Sequence, residues 1–253
     1  MGQKVLVTAA ASGIGLEIAR AFSGAGAAVF ITDINTQAID AAKKEIPGLL
    51  STFCDNSKRS DIEAMVPAAV KALGGLDVLV NNAGIAGPTA SVEDVDPDKW
   101  EQVLQVDVVG TFNVTRLAIP HLKKSSAGSI IIMSSLGGRF GYPNRSPYNV
   151  AKAGLIGFAK TLAIELGDHN IRVNAIAPGA VGGQRIDHVL AGRAKAESKR
   201  VEDERASMLS IQTLKRFVDP KDIAALCVFL ASDAGKSISG QVLPIDNGAL
   251  KAS

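Results

Sequence analysis

The chain has 253 residues, of which 47% are hydrophobic and 21% charged, and its formal net charge is +2 at pH 7. This length and composition fit one globular α/β domain, and the near-neutral charge gives no reason to expect a nucleic acid or a membrane as partner. No apolar run is long enough to span a bilayer, and the two cysteines, Cys54 and Cys227, lack metal-type spacing. We therefore expect a soluble, cytoplasmic protein without a metal site.

Short apolar runs alternate with helical patterns along the whole chain. The candidate strands are Val5–Thr8, Ala28–Thr32, Leu50–Cys54, Val78–Asn81, Ser129–Met133, Arg172–Ala177 and Val242–Ile245. Helical patterns lie near residues 13–25, 36–45, 58–73, 97–124, 147–167 and 220–231. Buried parallel strands read as short apolar runs, and regular strand–helix alternation is typical of βαβ units. The sequence therefore predicts one Rossmann-like domain over residues 1–253, with a doubly wound, mostly parallel, seven-stranded sheet and helices on both faces.

Two segments interrupt this alternation, and each follows the carboxyl end of a predicted strand. Residues 85–97 form a loop rich in Gly, Pro and Asp, and residues 179–215 form a longer insertion that ends in a charged helical stretch. The charged run 193–205, which includes Arg193 and Lys195, mixes both signs and is expected to form a solvated helix face. Open α/β sheets bind ligands at the carboxyl ends of their strands. The insertion 179–215 is therefore the predicted substrate lid.

The first predicted strand leads into a turn of small residues, Thr8 to Gly15, and then into a helix. Small residues allow a pyrophosphate to approach the backbone, and a helix N-terminus offers unpaired N–H groups and a positive dipole end. Such a turn alone also fits ordinary tight packing. The predicted phosphate-binding residues are Ser12, Gly13, Ile14 and Gly15.

Asp33 closes the second predicted strand, 18 residues after Gly15. A carboxylate at this place accepts hydrogen bonds from the adenosine ribose and repels a 2′-phosphate. No Lys or Arg occurs in the turn or at positions 34–37 to attract such a phosphate. The sequence thus favours NAD over NADP as cofactor, whereas a strand-ending turn residue is the alternative interpretation of Asp33.

Several further strings follow in a fixed order. They are Asn81–Gly84, Ser135, Tyr148–Lys152, Arg172–Gly179, and Gly240–Gln241 with Asp246. Together with the first turn, this set resembles the short-chain dehydrogenase/reductase family along essentially the whole chain. The resemblance implies an NAD(P)-dependent oxidoreductase that acts on CH–OH groups, with Ser135, Tyr148, Lys152 and Asp107 as the catalytic set.

Tyr148 and Lys152 are four residues apart and therefore share one helix face. A phenol normally has a pKa near 10, and a neighbouring ammonium favours the phenolate. Lowering that pKa by about three units requires about 4 kcal/mol of differential stabilisation, which nearby charges in a partly dry cleft can supply. Tyr148 would then take the alcohol proton as hydride leaves, or return it in the reductive direction, while Ser135 holds the substrate oxygen.

The resemblance also implies a set of cofactor contacts beyond the first turn. Asn82, Ala83 and Gly84 would lie beside the ribose, with Lys152 gripping the nicotinamide ribose. Asp55 resembles the adenine-contacting Asp of the family, although it could equally cap the helix that follows. The full set of further cofactor residues is Asp33, Asp55, Asn56, Asn82, Ala83, Gly84, Tyr148, Lys152, Pro178, Gly179 and Val181.

Five positions depart from the family pattern, namely Ala9, Asn56, Asp107, Gly183 and Asn247, and three of them bear on the turn and the catalytic site. Ala9 stands where the first Gly of the turn is usual, and we expect its methyl group to be harmless. Asp107 stands where a catalytic Asn is usual, and its negative charge near Lys152 should raise the pKa of Tyr148 and move the rate optimum to alkaline pH. Gly183 stands where many members have a Thr that contacts the nicotinamide amide.

The substrate contacts are less clearly marked. Arg139, Arg145 and Arg185 could together hold a carboxylate or a phosphate, or could simply be solvent-facing or interface arginines. The other candidate neighbours of the substrate are Leu136, Tyr142, Gln184 and His188. The helix from Tyr148 to Leu166 is apolar on more than one face, which fits the family habit of forming dimers and tetramers.

The favoured activity is hydride transfer between NAD and a secondary alcohol or its ketone. An epimerase or dehydratase with tightly held NAD is a second enzymatic alternative on the same fold. A catalytically silent, cofactor-binding regulatory or scaffold protein is the alternative from another class, and Asp107 and Gly183 are the residues that leave it open.

Overall fold

Seven parallel strands form one sheet in this computed structural model, in the spatial order β3-β2-β1-β4-β5-β6-β7. The structure describes residues 2–249, without the side chains of Gln184, Arg185 and Ala196. The strands are β1 Lys4–Val7, β2 Ala28–Asp33, β3 Leu50–Phe53, β4 Val78–Asn81, β5 Ser129–Met133, β6 Arg172–Pro178 and β7 Val242–Ile245. All seven predicted strands are confirmed, with ends displaced by no more than one residue.

The helices of the described chain lie between the strands and in the insertion. They are α1 Gly13–Gly24, α2 Thr36–Glu45, α3 Arg59–Leu73, α4 Pro97–Leu104, α5 Thr111–Leu122, α6 Ser146–Glu165, α7 Gln184–Ala196, α8 Val201–Ser210 and α9 Pro220–Ala231. The helix predicted over 97–124 is divided by a π-helical turn, Gln105–Gly110. The insertion holds two helices, α7 and α8, where the sequence indicated one charged stretch.

The sheet divides the core into two layers because side chains alternate along each strand. In β1, Val5 and Val7 pack in the layer of α1 and α9, whereas Leu6 packs in the layer of α3, α5 and α6. Both faces of every central strand are therefore covered by helices, as in doubly wound folds. Within the described chain, no helix combines the length and apolarity that a bilayer crossing demands.

The order of the strands determines where a crevice opens at the edge of the sheet. The chain moves outwards from β1 to β3 and then returns to β4 on the other side of β1. The connections that leave β1 and β4 therefore diverge, and this switch point opens a crevice at the carboxyl ends of the strands. Both segments that interrupt the strand–helix alternation begin at this edge.

The turn between β1 and α1 holds Ala9 in the left-handed region of the backbone map, with φ of 49°. The Asn82 side-chain amide donates to the carbonyl oxygens of Thr8 (3.1 Å) and Ala9 (2.8 Å), and the Ala10 N–H donates to Thr32 (2.8 Å). These bonds fix a conformation that an alanine adopts only at a cost. The expectation that the Ala9 methyl group is harmless was therefore wrong.

Replacing Ala9 with Gly removes this strain. We expect Ala9→Gly to raise the free energy of unfolding by about 1 kcal/mol. For a chain of this size the midpoint of thermal unfolding should rise by about 2–4 °C. Denaturant and thermal unfolding followed by circular dichroism measure both quantities.

Ala25 provides the matched control, because it is exposed at the end of α1 with an ordinary φ of −83°. Ala25→Gly should leave stability unchanged or slightly lower. An Ala9→Gly protein no more stable than the unmodified one would contradict the assignment of strain to this residue.

Candidate active site

A cavity of about 990 Å³ lies at the carboxyl edge of the sheet, within the size range of small-molecule sites. It runs from the β1–α1 turn, past the ends of β4 and β5, to α7 and α8 of the insertion. Of the residues predicted for the site, the lining includes Ser12, Gly13, Ile14, Gly15, Asp33, Asp55, Asn56, Asn82, Ala83, Gly84, Ser135, Tyr148, Lys152, Pro178, Gly179 and Val181. Asp107 lies behind Lys152 and has no exposed surface.

The β1–α1 turn forms one end of the cavity. Its backbone passes so close to α1 that a Cβ on Gly15 would lie 2.6 Å from the Ala9 oxygen and 2.7 Å from the Asn82 amide nitrogen. The first hydrogen bond within α1 is made by the Leu16 N–H to Ser12, so the N–H groups before it have no partner inside the helix. This end of the cavity fits an anion such as a pyrophosphate.

Asp33 connects the turn to the end of β2. One carboxylate oxygen accepts the Ala11 N–H and the other accepts the Asn35 N–H, both at 3.0 Å. The carboxylate therefore stabilises the turn. It also lines the cavity, where its remaining lone pairs can accept a hydrogen bond from a hydroxyl group. Both interpretations made from the sequence are compatible with this geometry.

Asp55 and Asn56 follow β3 and line the same end of the cavity. Burial alone would raise the pKa of the Asp55 carboxyl, but hydrogen bonds from Ser57 and the charge of Lys58 outweigh it and hold that pKa below its usual value. The N-cap of α3 is Lys58, so Asp55 does not cap this helix. The buried Asn56 side-chain nitrogen has no partner among the described groups. An unused amide donor beside the cavity fits a heterocyclic acceptor there.

The opposite end of the cavity is organised around the ammonium of Lys152, which is 3% exposed. Its Nζ donates to the Met133 carbonyl oxygen at 3.1 Å and lies 3.2 Å from Oδ2 of Asp107. The other oxygen of Asp107 accepts the Ile85 N–H at 2.7 Å. Oδ2 itself forms no hydrogen bond of acceptable geometry with any described group, so its contact with the ammonium is electrostatic.

The π-helical turn Gln105–Gly110 carries Asp107 into the interior. Such turns widen a helix locally and frequently occur at functional sites. The Thr111 hydroxyl donates to the Asp107 carbonyl at 2.7 Å, and the Thr115 hydroxyl donates to Thr111 at 2.7 Å. A Cβ on Gly84 would lie 2.9 Å from both Asp107 Oδ2 and Lys152 Nζ. Only a glycine leaves room for the pair at that point.

Tyr148 begins α6 together with Ser146 and Pro147, and two cations lie close to its half-buried ring. Lys152 Nζ is 5.7 Å from the ring centroid, and the guanidinium carbon of Arg145 is 4.9 Å from it. Arg145 is buried and donates to the Ala86 carbonyl at 2.9 Å and to the Thr89 hydroxyl at 3.5 Å. From the sequence, Arg145 was a candidate neighbour of the substrate or a solvent-facing or interface arginine. Its spacing of three residues from Tyr148 is the signal that could have placed the guanidinium beside the phenol ring.

The two serines after β5 have different surroundings. The Ser134 hydroxyl donates to the Lys152 carbonyl at 2.7 Å and so attaches the sheet to α6. The Ser135 hydroxyl accepts the Gly137 N–H at 3.1 Å, and among the described residues it donates to none. Ser135 therefore retains a donor beside Tyr148, whereas the hydroxyl of Ser134 has a packing role.

The structure describes the side chains of two of the three arginines that were considered as an anion-binding group, Arg139 and Arg145. Arg139 pairs with Asp246 at 3.2 Å, and the side chains of Arg185 and Gln184 lie outside the described residues. Arg193, which the sequence suggested was on a solvated helix face, is half-buried with its guanidinium carbon 5.3 Å from the centroid of Tyr142. Burial raises the pKa of Tyr142 to about 12, although Arg193 opposes this shift.

Comparison with known proteins agrees with this arrangement. A family model described as enoyl-(acyl carrier protein) reductase matches residues 8–249. The chain is 38% identical over 251 residues to the 3-oxoacyl-(acyl-carrier-protein) reductase FabG of Thermotoga maritima, with 98% of this chain and 97% of that protein covered. It is 36% identical over 254 residues to a D-beta-hydroxybutyrate dehydrogenase of Cupriavidus necator, with 98% and 97% covered. A solved structure of NAD⁺-bound xylitol dehydrogenase has a TM-score of 0.94 and 30% identity, with 98% of each chain covered.

Proposed function

Because the chain belongs to the short-chain dehydrogenase/reductase family of oxidoreductases, we propose that it interconverts a secondary alcohol and its ketone with NAD as cofactor. The observation that carries the proposal is the placement of the Tyr148 phenol close to both Lys152 and Arg145, in the cavity that also contains Ser135 and the β1–α1 turn. A phenol near two cations is suited to lose and regain a proton.

The proposed roles follow from these contacts. The bound nicotinamide would supply the hydride acceptor or donor. In the oxidative direction Tyr148, as phenolate, takes the hydroxyl proton of the alcohol while the carbon-bound hydrogen leaves as hydride, which yields the ketone. Ser135 donates its remaining hydrogen to the substrate oxygen. Lys152 holds the phenolate and the nicotinamide ribose, and Asp107 fixes the position of Lys152.

The preference for NAD rests on the charges at the adenosine end of the cavity. Asp33 and Asp55 are the acidic lining residues there, and the exposed Ile34 follows Asp33. The cationic lining residues, Arg145, Lys152 and Arg193, belong to the opposite end. A 2′-phosphate would therefore meet the carboxylate of Asp33, and none of the described residues that line this end of the cavity is cationic. The other proposed cofactor contacts are the turn Ser12–Gly15, Asp55, Asn56, Asn82, Ala83, Gly84, Pro178, Gly179 and Val181.

We propose that the insertion 179–215 serves as the substrate lid. Ile186, Val189 and Arg193 of α7 and Met208 of α8 line the cavity from above the sheet edge. Gly183 precedes α7 with φ of 125°, a conformation that a threonine would rarely adopt. The backbone of Gly183 would then take the place of the Thr side chain that many family members have there.

We also propose that the protein is cytoplasmic and forms an oligomer. Cys54 and Cys227 are buried free thiols, which fits a reducing compartment. Val150 and Ile164 of α6 are 49% and 83% exposed, and Phe112 of α5, which contacts Phe158, is 46% exposed. These side chains form an apolar surface on α5 and α6 that a second copy of the chain would cover.

Tyr148→Phe tests the proposed reaction. With a secondary alcohol that the unmodified protein oxidises, kcat should fall by roughly 10²–10⁴-fold, because the proton acceptor is lost. Binding of NADH, followed by its fluorescence, should persist and thereby show an intact fold. A Tyr148→Phe protein that turns over at the full rate would contradict the proposal, and cofactor binding without turnover by the unmodified protein would favour the regulatory alternative.

Asp107→Asn tests the electrostatic role of the buried carboxylate. Removing its negative charge should stabilise the Tyr148 phenolate, so the acid limb of the kcat/KM profile should move to lower pH by roughly one unit. Asp98→Asn is the control, because Asp98 is exposed at the start of α4. An unchanged profile in Asp107→Asn would reject this role.

Asp33→Ala tests the cofactor preference. The unmodified protein should bind NAD at least about tenfold more tightly than NADP, and the variant should narrow that ratio because the repulsion of the 2′-phosphate disappears. Asp40→Ala, at an exposed position of α2, should leave the ratio unchanged. Equal affinities in the unmodified protein would overturn the assignment of NAD.

Light scattering tests the proposed association. A homodimer or homotetramer should give a mass two or four times the chain mass of 26.2 kDa. Ile164→Lys and Val150→Lys together should weaken the association, because they place charges on the apolar surface of α6. A lone monomer at micromolar concentration would contradict it.

A further inference from the structure

A second cavity of about 650 Å³ adjoins the first beneath the insertion. Arg145, His188 and Val189 line both cavities, so the two share a wall beside Tyr148. The remaining lining comes from the loop after β4, which contributes Thr89, and from one face of α7. We call this second space the basic cavity.

The charged side chains that are described in the lining of the basic cavity are all positive. Two cations, Arg145 and Lys195, line it together with His188, and none of its described lining residues is acidic. His188 and Lys195 are seven residues apart and therefore share one face of α7. Among the described residues Lys195 has no ion-pair partner.

The acidic residues nearest in sequence to His188 and Lys195 form ion pairs with other residues of the insertion. Asp187 pairs with Arg205 at 3.0 Å, and Glu197 pairs with Lys199. Arg145 is held in place by its bonds to Ala86 and Thr89, with its guanidinium carbon 4.9 Å from the Tyr148 ring centroid. A fixed cation thus lies between the proton-transfer group and the basic cavity.

We propose that the basic cavity binds an anionic oxygen group, a carboxylate or a phosphate, of the substrate whose carbinol carbon lies at Tyr148. The substrate class is therefore short hydroxy and keto compounds that carry such a group near the reacting carbon. Guanidinium and ammonium groups are the donors that recognise both anions. This inference rests on the proposed function and adds the chemistry of the substrate to it.

The first test compares matched substrates with the unmodified protein. Lactate, 3-hydroxybutanoate and glycerol 3-phosphate are each assayed against a neutral counterpart, namely lactamide, 3-hydroxybutanamide and propane-1,2-diol. For at least one pair, kcat/KM of the anion should exceed that of the neutral compound by about tenfold or more, and the excess should shrink as salt is added. The pair that shows the excess distinguishes a carboxylate from a phosphate.

The second test removes a cation that lies outside the catalytic set. Lys195→Gln should raise KM for the anionic substrate by about threefold with little change in kcat, and Lys195→Glu should raise it further. Kinetics with the neutral counterpart should not change. Lys221→Gln is the matched control, because Lys221 is exposed on α9, away from both cavities.

The outcomes separate this inference from the proposed function. The inference would be overturned if the neutral alcohols were turned over as efficiently as every anionic counterpart. It would also be overturned if Lys195→Gln changed the kinetics of the anionic and the neutral substrate equally. Either result would leave the proposed function standing. If no compound is turned over, calorimetric binding of the same anions to the NADH complex decides the matter. Binding that weakens in Lys195→Gln would support the basic cavity, and absence of binding would overturn it.

Discussion

The ammonium of Lys152 is almost completely buried, and its counter-charge must therefore come from inside the protein. Asp107 supplies that charge at 3.2 Å, and the Met133 carbonyl supplies a hydrogen bond. Three local features bring this pair together: the π-helical turn that carries Asp107 inwards, the glycine at position 84, and the attachment of α6 to the end of β5. The position of Tyr148, one helical turn before Lys152, follows from them.

The same pair shapes the electrostatics of the site. Asp107 offsets part of the charge with which Lys152 would stabilise a Tyr148 phenolate. Arg145 places a second cation over the phenol ring and at the boundary of the basic cavity. Proton transfer and substrate recognition would thus share one guanidinium. This arrangement connects the chemistry at the end of β5 with the residues that α7 presents from the insertion.

All seven strands could be predicted from the sequence, because fully buried parallel strands are short apolar runs that have few other interpretations. The proximity of Asp107 to Lys152 was also expected, because the resemblance to the family places both residues in the catalytic set. The strain at Ala9 was not predictable, because the Asn82 side chain, distant in sequence, imposes it. Periodicity gives no sign of a π-helical turn. The charge pattern of α7 did not show which side faces the cavity, so Arg193 and Lys195 were assigned to solvent.

The central claim is that Tyr148 ionises more readily than an ordinary phenol, and the composition of the chain allows this to be measured directly. The chain has two tyrosines, and burial raises the pKa of the other, Tyr142, to about 12. A titration of tyrosinate ultraviolet absorbance in the NAD complex should therefore show one phenol that ionises below the usual pKa of about 10, and this transition should be absent in Tyr148→Phe. A titration in which no tyrosinate forms below that pH would contradict the account.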